Sequence, residues 1–259
     1  MCRCLNLPRS SYYYKTSEPV SEADLEEKVK QIFLESQSRY GARKIKQCLA
    51  TDGIILSRRR IRRIMKRLNL VSVYQQASFK PYAKGKNEAP IPNLLDRQFY
   101  QEKPLEVIVT DLTYVRVGQR WAYVCLIIDL FNREIIGVSV GWQKTAELVK
   151  QAIQSIPYAL TKVNLFHSDR GKEFDNQLID EVLEAFGITR SLSQAGCPYD
   201  NAVAESTYRF FKLEFIHQET FHSLKELTLK TKNYVHWWNH HRIHGSLNYQ
   251  TPIAKRVTA

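Results

Sequence analysis

The 259-residue sequence predicts a mixed α/β sheet of five strands with flanking helices, preceded by a small all-α module. Three observations carry this. Between residues 106 and 142 three β-branched and apolar runs follow one another with short breaks, which predicts an antiparallel meander. After residue 142 apolar runs of strand length alternate with stretches of helical period, which predicts parallel strands with helices packed on the sheet. Before residue 73 the apolar residues recur at helical spacing.

The helical module comes first. In "EADLEEKVKQIFLES", residues 22–36, Leu25, Val29, Ile32 and Phe33 share a face, with Ser21 as N-cap and acids in the first turn. The chain breaks at Gly41 before a second short helix in "RYGARKIKQCLA", and "TDGIIL" is a turn. In "SRRRIRRIMKRLNL", residues 57–70, Ile61, Ile64, Met65 and Leu68 form one packed stripe. Arg58, Arg59, Arg60, Arg62, Arg63, Lys66 and Arg67 cover the rest. Three short helices with a basic last one over 21–72 suit a helix-turn-helix-like DNA-binding module following an N-terminal segment, 1–20. A basic surface helix without a nucleic-acid role is the alternative. Residues 73–104, with scattered Pro, Gly and Lys and no sustained period, read as a linker.

The predicted strands are 106–117, 120–131 and 134–142, with a turn at Gly118-Gln119. A helix in "KTAELVKQAIQSIPYAL" leads to a fourth strand, "KVNLF", ending at His167-Ser168-Asp169. "DNQLIDEVLEAFG" is a helix closed by Gly187, and "ITRSLS" is the fifth strand. "PYDNAVAESTYRFFKLEFIH" is a long helix, and 223–240 another. The core is expected over 105–220, with a C-terminal helix and tail over 221–259.

Composition narrows the function. Hydrophobic residues make up 44%, which argues against disorder. No apolar run reaches the roughly 20 residues of a membrane span, and "MCRCLNLPRS" lacks the apolar stretch of a secretory signal. Five scattered cysteines without a CxxC pair give neither a disulfide framework nor a zinc site, so a reduced, cytoplasmic location is expected. Of the formal net charge of +12, +11 falls in residues 1–100, which hold 20 Lys and Arg against 9 Asp and Glu. A basic unit that holds a polyanion and a near-neutral unit with another task follow.

Three acids stand out in the second unit. Asp111 lies in mid-strand, where an unpaired buried carboxylate costs several kcal/mol; it either points outward, pairs with an arginine, or serves a site. Asp169 follows the fourth strand, where ligand sites of α/β sheets lie, although a turn-stabilising Asp is common there. Glu205 shares a helix face with Ala202, Arg209 and Lys212, and Val203, Thr207, Phe210 and Phe211 are expected on the packed side; a plain Glu205–Arg209 surface pair is the alternative.

Thirty-five residues separate Asp169 from Glu205, and "TDLTYV", "HSDRGKEF" and "CPYDNAVAES" resemble the three motifs of the DDE transposases and retroviral integrases. More closely, the chain resembles the second-reading-frame transposase of the IS-three group of bacterial insertion sequences. "LNLPRSSYYY", "YGARKIKQCL", "NLLDRQF", "IIDLFNREIIGVSV" and "WWNHHRIHGSLNYQTP" extend the likeness nearly end to end. Ile108, the run Lys172-Glu173-Phe174-Asp175, and Cys197 depart from the usual pattern without touching the acids.

The resemblance implies an RNase H-like integrase catalytic core in which Asp111, Asp169 and Glu205 bind metal and catalyse DNA 3′-end cleavage and strand transfer. Two Mg²⁺ ions per active site, with Mn²⁺ as a possible substitute, suit hard carboxylate ligands and phosphoryl transfer; no zinc is expected. Arg209 and Lys212 would hold the DNA end. The implied partners are insertion-sequence ends and target DNA, together with a first-reading-frame protein or frameshift fusion. Oligomers on DNA, no membrane and association with the nucleoid are also implied. Asp129 is expected to pair with Arg133 or a backbone group, and Asp200 and Asn201 to cap their helix. Among His236, His240, His241 and His244 no metal site is expected, and Trp237 and Trp238 read as core. A non-catalytic DNA-binding regulator and an RNase H-like nuclease are the rival functions.

Overall fold

In the computed structural model, which describes residues 21–75, 91–194 and 197–259, the chain divides into two units, Met1–Ser72 and Val73–Ala259. The expected N-terminal segment 1–20 and residues 76–90 of the expected linker lie outside the described residues.

The first unit holds α1 (Glu22–Glu35), α2 (Ala42–Thr51) and α3 (Arg58–Arg67). Ser21 and Ser57 cap α1 and α3 by accepting the N–H groups of Asp24 and Arg60, each satisfying a donor the helix leaves open. Leu25, Val29, Phe33, Ile61, Ile64 and Met65 of the predicted stripes of α1 and α3 are buried, together with Ile45 and Leu49 of α2, while the stripe residues Ile32 and Leu68 are half-buried. Two of the basic residues of α3 turn to α1: Arg60 bonds Glu22, and Arg67 bonds Glu22 and Glu26. Arg58, Arg59, Arg62, Arg63 and Lys66 are exposed.

The second unit is built on a five-stranded sheet in the order β3-β2-β1-β4-β5. Its strands are β1 (Val107–Val117), β2 (Arg120–Asp129), β3 (Ile135–Gly141), β4 (Leu165–Ser168) and β5 (Thr189–Leu192). The predicted meander is present, with β1–β2 and β2–β3 antiparallel. The β1–β2 turn passes through Gly118 at φ +54°, a conformation that disfavours a side chain. After α4 (Ala146–Gln154), β4 runs parallel to β1, and after α5 (Gln177–Ala185), β5 runs parallel to β4. Then come α6 (Ala202–Glu214), α7 (Leu224–His240) and α8 (Pro252–Val257).

Both faces of the sheet are covered, so both alternating sets of β1 and β2 are apolar. Val107, Val109, Val115, Leu126 and Ile128 meet Ala204, Tyr208 and Phe211 of α6 and Leu227, Tyr234 and Trp238 of α7. Ile108, Cys125 and Ile127 meet Leu148, Val149 and Ala152 of α4 and Ile179 and Leu183 of α5. Trp238 is buried and its Nε1 donates to the carbonyl of Arg133 at 2.9 Å, while Trp237 packs half-buried at the margin. Arg242, 3% exposed, pairs with buried Glu214 at 2.8 Å.

Residues 91–104 pack against this unit. Leu95 is buried, and the N–H groups of Leu94 and Leu95 donate to Ser191 Oγ at 2.9 and 3.3 Å. Near the other end of the chain, Arg256 of α8 reaches back to Asp129 at 2.7 Å and Glu134 at 2.6 Å, both fully buried acids. The partner expected for Asp129 was Arg133, whose guanidinium instead donates to the carbonyl of Phe99. The expected backbone partners of Asp129 are present, the N–H groups of Leu105 and Phe131.

Candidate active site

β4 is short and pairs with β1 only over Val107–Val109, so beyond Val109 the outer edge of β1 has no partner in this sheet until Val117 bridges Phe221. His167 stands opposite Val109. Asp169 and Asp111 each follow two residues later, so continuing the parallel register brings the two acids level and onto one face. The first acid lies beside the open edge, and the second just past the end of the neighbouring strand.

Backbone groups orient one oxygen of each. The Leu112 N–H donates to Asp111 Oδ1 at 2.7 Å, and the Gly171 N–H donates to Asp169 Oδ1 at 3.0 Å. A Cβ on Gly171 would stand 2.3 Å from Glu173 Oε1, so a side chain there would displace the Glu173 carboxylate from its place beside Lys144.

The third acid arrives on α6. Asn201 Nδ2 donates to the Thr110 carbonyl at 3.0 Å, and the Tyr208 hydroxyl donates to the Asp111 carbonyl. These bonds fasten the first turns of α6 to β1, and Glu205, half-buried, lies between them in sequence. The packed face of α6 centres on Ala204, Thr207, Tyr208 and Phe211. Val203 and Phe210, expected there, sit only at its border. The rotation follows from Tyr208, whose ring is buried while its hydroxyl finds partners in the sheet.

The electrostatics tie the acids together. Burial pushes the Asp111 carboxyl up to about 7, and the charges of Asp169 and Glu205 add to that rise against the Leu112 N–H and Lys212. Burial also raises Asp169, helped by Glu173 and opposed by the Gly171 N–H and Lys144. Glu205 is raised by burial and then by Asp169. The alternative, a plain surface pair of Glu205 with Arg209, is not among the ion pairs of the described residues.

No three Asp, Glu, His or Cys side chains among the described residues stand close enough to hold one metal ion as they are arranged. The donor set nevertheless suits a hard divalent cation: three desolvated carboxylates share one face, with no bonded cation of their own. The nearby cation Lys144 is held at 2.7 Å by Glu173, which is buried. Nothing at the level of sequence pattern pairs Lys144 with Glu173, which belong to different elements.

Further residues brace the site. His167 is buried between Ser191 Oγ at 2.8 Å and Ser193 Oγ at 3.1 Å, and burial lowers it to about 4, which keeps it neutral at pH 7. Asp200 does not cap α6: it pairs with Arg97 at 2.8 Å and accepts the Gln194 N–H. Asn201 sits at the N-cap position but makes no side-chain cap, because its amide is turned to Thr110. Arg209 is exposed, and the Lys212 ammonium lies 5.2 Å from the centre of the Tyr114 ring. His236 and His240 stack at 4.4 Å, whereas His244 is buried against Trp238 and Arg242.

Comparison with known proteins agrees with this architecture. The Integrase core domain family matches residues 101–198, a second Integrase core domain profile matches 186–252, and the HTH-like domain family matches 20–78. The chain is 30% identical to the InsK protein for insertion sequence element IS150 of Escherichia coli (strain K12), over 99% of this chain and 92% of that one. It is 28% identical to the transposase InsF for insertion sequence IS3A of the same organism, over 96% and 91%. Among solved structures, the HTLV-2 integrase catalytic core domain in complex with magnesium aligns with 16% identity and a TM-score of 0.48, over 59% of this chain and 97% of that one.

Proposed function

The chain belongs to the insertion-sequence transposases that join an HTH-like domain to an integrase core, and from that membership we propose that Asp111, Asp169 and Glu205 are its catalytic acids. The observation that supports this most is the placement of Asp111 on β1 and Asp169 just past the end of the neighbouring parallel strand β4, with Glu205 on the helix fastened to β1 and all three carboxyls raised.

The reaction transfers a phosphoryl group between DNA oxygens. Cleavage at an element end frees a 3′-OH, and that oxygen then attacks a second phosphodiester. Asp111, Asp169 and Glu205 would hold the divalent cations, Mg²⁺ with Mn²⁺ as a substitute and two per site. When bound, these ions neutralise phosphate charge and make a deprotonated nucleophile available at neutral pH. The backbone N–H groups of Leu112 and Gly171 fix one oxygen of each Asp, so the other is directed by the strands rather than by a mobile side chain. The raised carboxyls support a divalent ion: burial and mutual repulsion make their ionised forms unfavourable, and a bound cation would relieve both. Arg209 and Lys212 would position the DNA end, and the exposed Arg58, Arg59, Arg62, Arg63 and Lys66 would supply most of the phosphate contacts. A first-reading-frame partner or frameshift fusion and oligomers on DNA complete the proposal, in the bacterial cytoplasm at the nucleoid. No described helix is long and apolar enough to cross a membrane.

The test is the set Asp111→Asn, Asp169→Asn and Glu205→Gln. Each removes a ligand's charge at nearly constant shape, so each should abolish Mg²⁺-dependent end cleavage and strand transfer while folding and DNA binding persist. Near-normal turnover in any one removes that residue from the site. A wild-type chain that binds DNA and never cuts it would be a regulator; one that cuts without joining would be a nuclease.

A further inference from the structure

Past the acids, β1 and β2 continue into a hairpin whose outer end carries a group of rings and cations that the proposed chemistry does not use. Tyr114 is 58% and Trp121 48% exposed, with ring centres 5.1 Å apart in an edge-to-face contact. Arg116, opposite Trp121 in the register, lies 5.2 Å from that ring. Arg120 lies 4.3 Å from the ring of Trp142, and Lys212 lies over Tyr114. None of these three cations forms an ion pair among the described residues; Arg116 donates only to the Gly118 carbonyl. Two large exposed rings in contact with each other and with cations form a patch of the kind that marks an interaction site.

We propose that this hairpin end is a binding surface for unpaired nucleotides of the DNA strand next to the reacting phosphate. The proposal rests on reading Asp111, Asp169 and Glu205 as the cutting site only for where that strand lies. Two distances place the surface. Tyr114 is three residues beyond Asp111, about 10 Å along the strand; its ring lies on the other face of the sheet but is reached by Lys212, whose charge also acts on Asp111. Lys212 is seven residues beyond Glu205, about 10 Å along the helix. At roughly 3.4 Å per nucleotide that is about three nucleotides from the acids. A base freed from its partner there could stack on Trp121 or Tyr114, and its phosphate would meet Arg116 or Lys212. Aromatic platforms interleaved with cations bind single strands in this way, without reading sequence.

The charges also choose between this occupant and a second copy of the chain. A two-fold contact through the same patch would set Arg116 and Lys212 of one protomer against the same cations of its partner. A polyanion meets them with opposite charge.

The experiment compares a blunt fluorescent duplex with the same duplex carrying a five-nucleotide thymidine tail. Binding is measured without metal, so that no cutting is required. The wild-type chain is expected to prefer the tailed probe by roughly tenfold, the worth of one or two stacked bases. Trp121→Leu with Tyr114→Leu keeps apolar bulk on the strands but removes the stacking faces. It should abolish the preference while leaving blunt-duplex affinity and thermal melting near wild type. Trp121→Phe with Tyr114→Phe should restore it. Equal preference in the leucine variant would overturn the proposal, as would an equal loss on both probes. A wild-type dimer in sedimentation that the leucine variant alone dissolves would assign the patch to self-association and also overturn it. Failure of the Asp111, Asp169 and Glu205 variants to block cleavage would leave this result untouched, because the binding measurement involves no catalysis.

Discussion

The hydroxyl of Tyr208 sits between two strands, accepting the Leu126 N–H at 2.6 Å and donating to the carbonyl of Asp111. Asp111 and Leu126 are register partners, so a helix side chain has entered the ladder at the level of the first acid. Tyr208 lies one turn beyond Glu205, and its bond therefore fixes the distance between two of the three acids. We predict that Tyr208→Phe lowers Mg²⁺ affinity and cleavage by about tenfold or more. It should cost about 1–3 kcal/mol of stability, since the Leu126 N–H is left unsatisfied. Metal titration followed by calorimetry, beside urea melts, checks both. Unchanged metal affinity would reduce Tyr208 to a packing residue.

The acids also predict a pH dependence of stability. The folded chain holds the Asp111 proton up to about 7, whereas an unfolded Asp releases it near 3.9. Between these values the folded state binds more protons, so this contribution to stability is complete below about pH 4 and is lost as pH rises through 7. Raised Asp169 and Glu205 act in the same direction. Metal-free melts from pH 5 to 9 should show the decline, with a ceiling on the order of 4 kcal/mol for Asp111. Asp111→Asn, which has no proton to lose, should be more stable than wild type at pH 8 and should flatten the curve. Mg²⁺ should restore stability at pH 8 in wild type but not in the variant.

Salt dependence separates the two units. Arg60 and Arg67 bond Glu22 and Glu26, which leaves Arg58, Arg59, Arg62, Arg63 and Lys66 to meet phosphates. At about −0.9 per neutralised phosphate, a fragment starting at residue 91 should bind duplex with a log K against log salt slope shallower by about 4 to 5 than the full chain. The start at 91 keeps the Leu95 and Arg97 contacts to the core. Equal slopes would mean that α3 is merely solvated.

Glu214→Ala leaves Arg242 buried with no carboxylate, and we predict a loss of about 3–5 kcal/mol in urea melts. Glu214→Leu combined with Arg242→Met should recover much of it, because two apolar residues need no partner. A single variant within 1 kcal/mol of wild type would show that the neighbouring rings of Phe210 and Trp238 carry Arg242 unaided.

Much of this molecule was legible in its sequence, for local reasons. The strand-rich runs, the Gly118 turn and the stripe of α3 follow from residue spacing, which neighbours along the chain enforce. The two aspartates were legible from their places in one strand and at the tip of another. What stayed hidden depends on partners distant in sequence. The burial of Tyr208 inside a ladder 97 residues away turned α6 from its expected face. Asp200 and Asn201 look like caps until Arg97 and the Thr110 carbonyl are beside them. Lys144 and Glu173 carry no mark of each other before α4 and the loop after β4 meet.

Arg256 lies 127 residues after Asp129, the acid it neutralises at the end of β2. A ribosome adding roughly 5–20 residues per second needs about 6 to 25 s to cover that interval. Through it, the nascent meander exists with Asp129 and Glu134 still lacking their cation, and those carboxylates resist being drawn inside. The sheet can begin to assemble early, but these two buried acids gain their cation only when α8 has been made. Chains that end before α8 lack that cation, and proteases are expected to cut them faster than the full chain.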